Sequence, residues 1–572
     1  MKKLIPILVA LILIVIIGAA TAGSIVFDKY SYSKEQANLQ EYFGVQGDEL
    51  ALILQDERIE EKGHLVNDTC YFDLDTVHKY FNDGFYVDKK EGLLLYALPT
   101  TVDRYELTDS PLTASGEKNP VYLQGETVYL SAELVKKYTN YSYDMYDMRV
   151  QLYTEWGEKR EVSVKKNTAI RVKGGVKSPI LRETMEGERL EVLEKMENWS
   201  KVKSQDAFIG YVENKCLSEE TKVAEKPVTD YKEPEYTTKQ LDEKVCLGWH
   251  SIGGPGGNDT LESMAADAKG MNVIAPTWFS LSDNEGGYES FASESYVKRA
   301  HNIGFQVWGV LDDFNYNLTH EDAQVNVFEV LSTTSTRNRL IDAIVEEAVA
   351  LGLDGINLDF EAQPSEEIYH DYKQDFAQFV REMSVACRLN NLTFSIDNPV
   401  PNSNNTYLRR DVQGKVADYV IIMGYDEHLS SNGKASSAAS INFVSNGIDD
   451  TLKLVPKEKV VNGIPFYGML SKTQKNESTQ KEEVTYSDLI VKNVQDFLDR
   501  VGQTGTWDEE AQQLYAEWSS GGVKYQLWAE TKESILVKLN VMRAREIAGV
   551  AAWCLGCETP DVWEAISAYL NS

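Results

Sequence analysis

Positive charge is in short supply in this sequence. Lys and Arg number 57 against 89 Asp and Glu, a net charge of −32 over 572 residues. A chain so acidic repels phosphate backbones, which excludes nucleic acid as a partner. Cysteine is scarce too. The six, Cys70, Cys216, Cys246, Cys387, Cys554 and Cys557, are scattered too widely to build a small disulfide framework. Cys554 and Cys557 make one C-x-x-C, with no second pair and no nearby His. That ligand count falls short of a zinc site and leaves a local disulfide or two free thiols. Long uncharged apolar runs are missing as well, with one exception.

The exception is the amino terminus. Lys2 and Lys3 precede an uncharged stretch from Leu4 to Phe27, whose core from Leu4 to Ile17 is almost wholly Leu, Ile and Val. A stretch of this length can cross a bilayer. The positive flank stays inside, so everything after about Asp28 is expected to face outward. Ala20-Thr21-Ala22 also offers an A-x-A cleavage site, the mark of a signal peptide. The apolar run is longer than a usual signal core, which favours an uncleaved anchor. Either way the working part is expected outside the cytoplasm, membrane-anchored or secreted to a cell wall.

What is present is enough apolar residue, 42%, for stable cores, and a length that calls for about three or four domains. After a segment over 1–27 comes a polar stalk over 28–45. Residues 46–155 carry short β-type runs (Leu50–Leu54, Leu93–Tyr96, Val128–Leu130) and a helical pattern at Leu74–Phe81, an α+β module. Its "YFDLDTVHKYFN … KKEGLLLYAL" is similar to the copper amine oxidase amino-terminal-like module of wall-associated proteins. That resemblance implies no copper. Residues 160–217 alternate in short strands, "TAIRVKGGVKSPIL", "ERLEVLEKMENWSKVK" and "FIGYVENKCL". Ile170, Val172, Leu190, Val192, Trp199, Val202, Ile209 and Tyr211 fall on the period-two positions of a small barrel core. This pattern resembles a bacterial SH3-type domain, which implies wall docking or a spacer barrel. Residues 218–240, charged and without apolar period, are expected to be a linker.

Residues 241–572 hold eight apolar runs of the kind buried parallel strands show: Val245–His250, Val273–Phe279, Gln306–Leu311, Gly355–Glu361, Leu392–Asp397, Tyr419–Asp426, Val460–Phe466 and Gly549–Leu555. Helical patterns such as Arg339–Ala350 and Asp375–Arg388 lie between them. An open doubly wound sheet shares this alternation, but the count of eight favours closure into an α/β (β/α)8 TIM barrel. A segment over about 469–546 is expected to add a subdomain or elaborated loop.

The fourth run, Asp354-Gly355-Ile356-Asn357-Leu358-Asp359-Phe360-Glu361, carries the chemistry. Alternation along a strand puts Asn357, Asp359 and Glu361 on one face and Ile356, Leu358 and Phe360 on the other. Polar groups facing a packed interior are costly, and Glu361 stands at the carboxyl end, where barrel active sites lie.

This segment resembles the D-G-x-[DN]-x-D-x-E signature of glycoside hydrolase family 18, a chitinase-like family. Met423-Gly424-Tyr425-Asp426 resembles its M-x-Y-D motif at the sixth strand, and Trp553 in "GVAAWCLG" its floor tryptophan at the eighth. "NVIAPTWFSLSDNEGGY" and "GIPFYG" are similar to the subgroup of spore-cortex and wall-lytic N-acetylglucosaminidases. The resemblance implies substrate assistance, an exception to two-carboxylate retaining hydrolysis. The sugar's own 2-acetamido oxygen attacks, Glu361 serves as general acid and then base, and Asp359 orients the acetamido group. It further implies that Tyr425 bonds the acetamido carbonyl, that Asp426 positions that group and that Trp553, Met423 and Asn357 contact the sugar. Asp354 and Asn357 would support the network. Asn357 stands where many members have Asp. Trp249, Trp278 and Trp308 are expected in packing. No cofactor or metal is implied. The partner is then a β-linked N-acetylglucosamine glycan, peptidoglycan by subgroup. Chitin or glycoprotein glycans, and a non-catalytic glycan-binding protein on the same barrel, are the alternatives.

Overall fold

The computed structural model describes residues 4–226, 229–314, 325–431, 433–476, 478 and 480–571. The chain divides into two compact units, Met1–Phe85 with Tyr105–Glu233, and Tyr86–Arg104 with Pro234–Ser572.

The first unit begins with the helix Leu4–Tyr30, of which Ile7–Ser24 is long and apolar enough to cross a membrane and has none of its surface buried. The expected stalk is only partly a stalk. Leu39–Phe43 is helical, capped by Asn38, and Phe43 and Val45 are buried in one cluster with Ile170, Leu190 and Val202. Apolar side chains placed at 43 and 45 bury themselves wherever a core lies within reach. Strands within 49–73 and 121–153 form a seven-stranded sheet with the helices Leu74–Tyr80 and Ala132–Tyr138. Both helices start on a capping side chain, Asp73 and Ser131, that accepts from a backbone N–H.

A second seven-stranded sheet holds the SH3-like segment. Ile170, Leu190, Val192 and Val202 lie in its core as the alternation requires. In the strand Ile209–Glu213 the phase is opposite. Phe208 and Val212 face the core, whereas Ile209 and Tyr211 are half-buried. The middle inward position is Gly210, where a Cβ would come within 2.5 Å of Ile170 Cγ2. A glycine on the inward face hides the true phase, and a one-residue slip exchanges the faces. The linker expectation is corrected too. Thr221–Ala224 is a strand, paired antiparallel with Glu158–Glu161.

The second unit is a closed barrel of eight parallel strands: β1 (Val245–His250), β2 (Val273–Leu281), β3 (Gln306–Asp312), β4 (Gly355–Asp359), β5 (Thr393–Pro399), β6 (Tyr419–Met423), β7 (Val460–Pro465) and β8 (Gly549–Trp553). Neighbours pair in chain order, and β8 returns to β1. The lower interior is filled by apolar side chains, with Trp308 stacked on Tyr419 at 5.5 Å. Ile356, Leu358 and Phe360 point outward into the helical layer. The segment between β7 and β8 forms a five-stranded antiparallel sheet from Tyr467 to Ala529 with the helix Val494–Val501.

Residues 86–104 belong to this unit. The Tyr86 hydroxyl donates to Asp375 at 2.7 Å and accepts from Arg337 at 3.0 Å. Asp88 accepts from the backbone N–H and hydroxyl of Thr334, the first residue of the helix Thr334–Leu351. Arg337, wholly buried, pairs with Glu382 at 2.8 Å and also donates to the Leu331 carbonyl. Replacing Arg337 with methionine leaves the Glu382 carboxylate buried without its cation. The expected cost is about 3–5 kcal/mol, measured as a lower denaturant midpoint for the unit's unfolding. An unchanged midpoint would show that the pair stabilises nothing.

Candidate active site

The carboxyl ends of the barrel strands open on a cavity of about 460 Å3 lined by residues from all eight strands or the segments just after them, among them Trp249, Asp312, Asp359, Glu361, Asp397, Tyr425, Asp426 and Trp553. The geometry follows from the alternation in β4. Asp359 ends the strand and Glu361 comes two residues later on the same side. Phe360, between them, is buried in the outer layer against Phe379. A second hollow of about 320 Å3 lies on the other side of Glu361, lined by Gln363, Asn402, Asn405 and Leu429. Glu361, Met423, Tyr425 and Asp426 border both.

Most residues singled out in the sequence meet here. Glu361, Asp359, Tyr425, Asp426, Met423 and Trp553 all line the cavity. Two do not. Asn357 is fully buried beneath it, accepting from Trp249 Nε1 at 3.0 Å and donating to Ser395 at 3.0 Å and Asp397 at 2.8 Å. It touches the site only through Trp249 and Asp397, so the expected sugar contact is corrected to a supporting role. An amide suits that place because it accepts from one neighbour and donates to two. Asp354 is at the opposite end of β4, where it accepts from the backbone N–H of Val307 and contacts His301 at 2.8 Å. It joins no site residue. Trp308 is packed in the interior, while Trp249 and Trp278 are buried and still reach the cavity wall.

The structure adds residues that the sequence did not single out. Asp312 ends β3 and accepts from the Ser280 hydroxyl. Asp313 accepts from the backbone N–H groups of Glu361 and Ala362 at 3.0 and 2.9 Å. Asp397, on β5, is buried. Tyr467 donates to Asp426 at 2.5 Å. Among the described residues no Lys or Arg lines the cavity, and no group of three or more His, Cys, Asp or Glu is arranged to hold a metal ion.

So many carboxyl groups without a cation raise one another's proton affinity. Glu361 is pushed up to about 7, first by burial and then by Asp426, Asp313 and Asp312. Asp312 is pushed up to about 6 by burial. Asp359 is raised well above the carboxylate range by burial and by Asp397 and Glu361, and Asp397 is likewise raised by burial. Asp359 Oδ1 is buried without a hydrogen-bond partner in the protein. An acceptor left in that state is costly unless a ligand supplies the donor. The arrangement can give a proton from Glu361, hold a donor on Asp359 and stack a ring on Trp553.

Residues 320–558 match Glycosyl hydrolases family 18, and residues 166–218 match the bacterial SH3 domain. An uncharacterized glycosylase of Bacillus subtilis (strain 168), YvbX, is 25% identical over 300 residues, 52% of this chain and 84% of that protein. The cortical fragment-lytic enzyme of the same organism is 25% identical over 251 residues, 42% of this chain. Of that enzyme's own length the chain spans 56%. Among solved structures, a chitinase from Chromobacterium violaceum is similar at 19% identity and a TM-score of 0.49, covering 57% of this chain and 99% of that one. The chain therefore carries a family 18 glycosyl hydrolase domain, the domain of a glycosidase, together with a bacterial SH3 domain.

Proposed function

We propose that the chain hydrolyses β-linked N-acetylglucosamine-containing glycan, peptidoglycan foremost, outside the cytoplasm, by retaining, substrate-assisted catalysis. The observation that carries this is the pairing of Glu361, its proton affinity raised to about 7, with the unpartnered buried oxygen of Asp359 in one cavity. Glu361 gives its proton to the departing glycosidic oxygen. The sugar's acetamido oxygen closes on the anomeric carbon, its N–H donating to Asp359. Water, deprotonated by Glu361, then opens the cyclic intermediate with net retention. Tyr425 bonds the acetamido carbonyl, Asp426 positions that group, Met423 closes the side and Trp553 stacks beneath the ring. The helix Leu4–Tyr30 holds the enzyme at the membrane or directs its export, and the SH3 domain docks it on the wall.

The test uses paired substrates, N-acetylglucosamine oligomers or wall glycan and their de-N-acetylated counterparts. Products with retained anomeric configuration are expected from the acetylated substrate and no turnover from the other. Comparable rates on both would reject substrate assistance. Binding of the acetylated glycan without cleavage would leave the domain a glycan-binding one.

A further inference from the structure

Glu361 lies beyond the last hydrogen-bonded residue of β4, Asp359. No ladder bond fixes its backbone, yet a catalytic acid must be held to within a fraction of an ångström. The backbone N–H of Glu361 and that of Ala362 point to different oxygens of one carboxylate, Asp313, at 3.0 and 2.9 Å. Asp313 in turn follows directly on β3, the strand paired with β4 in register Asp312 to Asp359. The carboxylate thus continues, with a side chain, the pairing that the two strands have just ended.

We propose that Asp313 is a positioning residue for the reaction: its carboxylate clamps the backbone at Glu361 and Ala362 and so fixes where the acid's carboxyl group sits. The clamp also sets charge. Burial raises the proton affinity of the Asp313 carboxyl, and the two N–H donors act against it in favour of the ionised form. In its ionised form Asp313 stands beside Glu361 and raises the acid's proton affinity. Among the described residues, the other groups facing Glu361 are Asp312 from β3, Asp359 on its own strand, Asp397 from β5, Asp426 and Tyr425 after β6, and Tyr407. None is cationic. Asp313 itself faces Tyr372 and Tyr407.

Asp313→Asn places an amide donor against one of the two N–H groups and removes the charge. In the full chain, kcat on N-acetylglucosamine oligomers is expected to fall roughly 10- to 100-fold, the scale of a misplaced catalytic group, with KM little changed. The alkaline limb of the pH–rate profile is expected to move down by about one unit. Asp313→Ser, which carries no clashing donor, has the same expectation should the Asn variant fail to fold. Asp313→Glu keeps the charge and both acceptors, so its alkaline limb should return to the wild-type pH. A neutral variant that keeps the wild-type limb, or one whose loss lies in KM, overturns the proposal. The inference rests on Glu361 being the acid. An active Glu361→Gln variant would remove that premise, whereas wild-type behaviour in Asp313→Asn would remove only the clamp.

Discussion

Glu361→Gln is expected to lower kcat on N-acetylglucosamine oligomers by about 10³-fold or more, within the range that general acid catalysis supplies. Glutamine keeps the shape of the side chain and loses only the proton that the leaving oxygen needs. Folding should survive, because Glu361 is half-buried at the cavity wall and its fixed contact is through its backbone N–H, which the substitution retains. The wild-type profile gives the second half of this expectation. An acid raised to about 7 is protonated below that pH and spent above it. kcat/KM should therefore fall as pH rises through about 7, and the Gln variant's residual rate should show no such limb. Substrate affinity is expected to persist in the variant, measured by retention on an insoluble glycan. Wild-type turnover in Glu361→Gln would end the assignment. Loss of both activity and the thermal unfolding transition would show a folding role instead.

The barrel was legible because its strands are buried on both faces, and such strands are written as apolar runs that few loops imitate. The same alternation gave the inward face of β4 and so the meeting of Asp359 with Glu361. Legibility failed wherever proximity comes from across the barrel. The apolar run of β3 ends at Leu311, so Asp312 and Asp313 look like the start of a polar loop. Only the pairing of β3 with β4 brings them to the acid. Asp397 ends the run read for β5, and its part in the charge cluster appears only when Asn357 is seen to bond it. Asp354 misled in the opposite way. It opens the motif in sequence, but a strand of five residues separates its two ends by several residue rises of about 3.3 Å. The same limit explains residues 86–104. Nothing in their alternation says that Tyr86 and Asp88 will bond helices of the barrel unit rather than the sheet on either side of them in sequence.

Asp359→Asn is expected to reduce kcat by about 10²- to 10³-fold with little change in KM, the scale of losing one preorganised electrostatic partner of a developing charge. The reasoning starts from an imbalance in the free protein. Asp359 Oδ1 is buried and unpaired, and the neighbouring carboxyl groups hold its proton affinity high. The site therefore stores an unmet electrostatic demand. A neutral acetamido group meets part of it with its N–H. The cyclic oxazolinium ion meets far more, because its positive charge sits where the acidic cluster is most crowded. Stabilisation that grows from the ground state to the charged intermediate is the kind that raises kcat rather than tightens binding. Asparagine presents an oxygen or an amide donor at the same place but no charge, so the ground-state contact survives and the differential part is lost. Two measurements separate this from simple misfolding. The affinity of the Asn variant for intact substrate should stay near the wild-type value. Its affinity for a stable, positively charged cyclic mimic of the intermediate should fall by about the same factor as kcat/KM, as transition-state complementarity requires. If the mimic binds the variant as tightly as the wild type while kcat drops, Asp359 is not steadying the charge of the intermediate, and the acetamido group's own attack would need another source of stabilisation in the cavity.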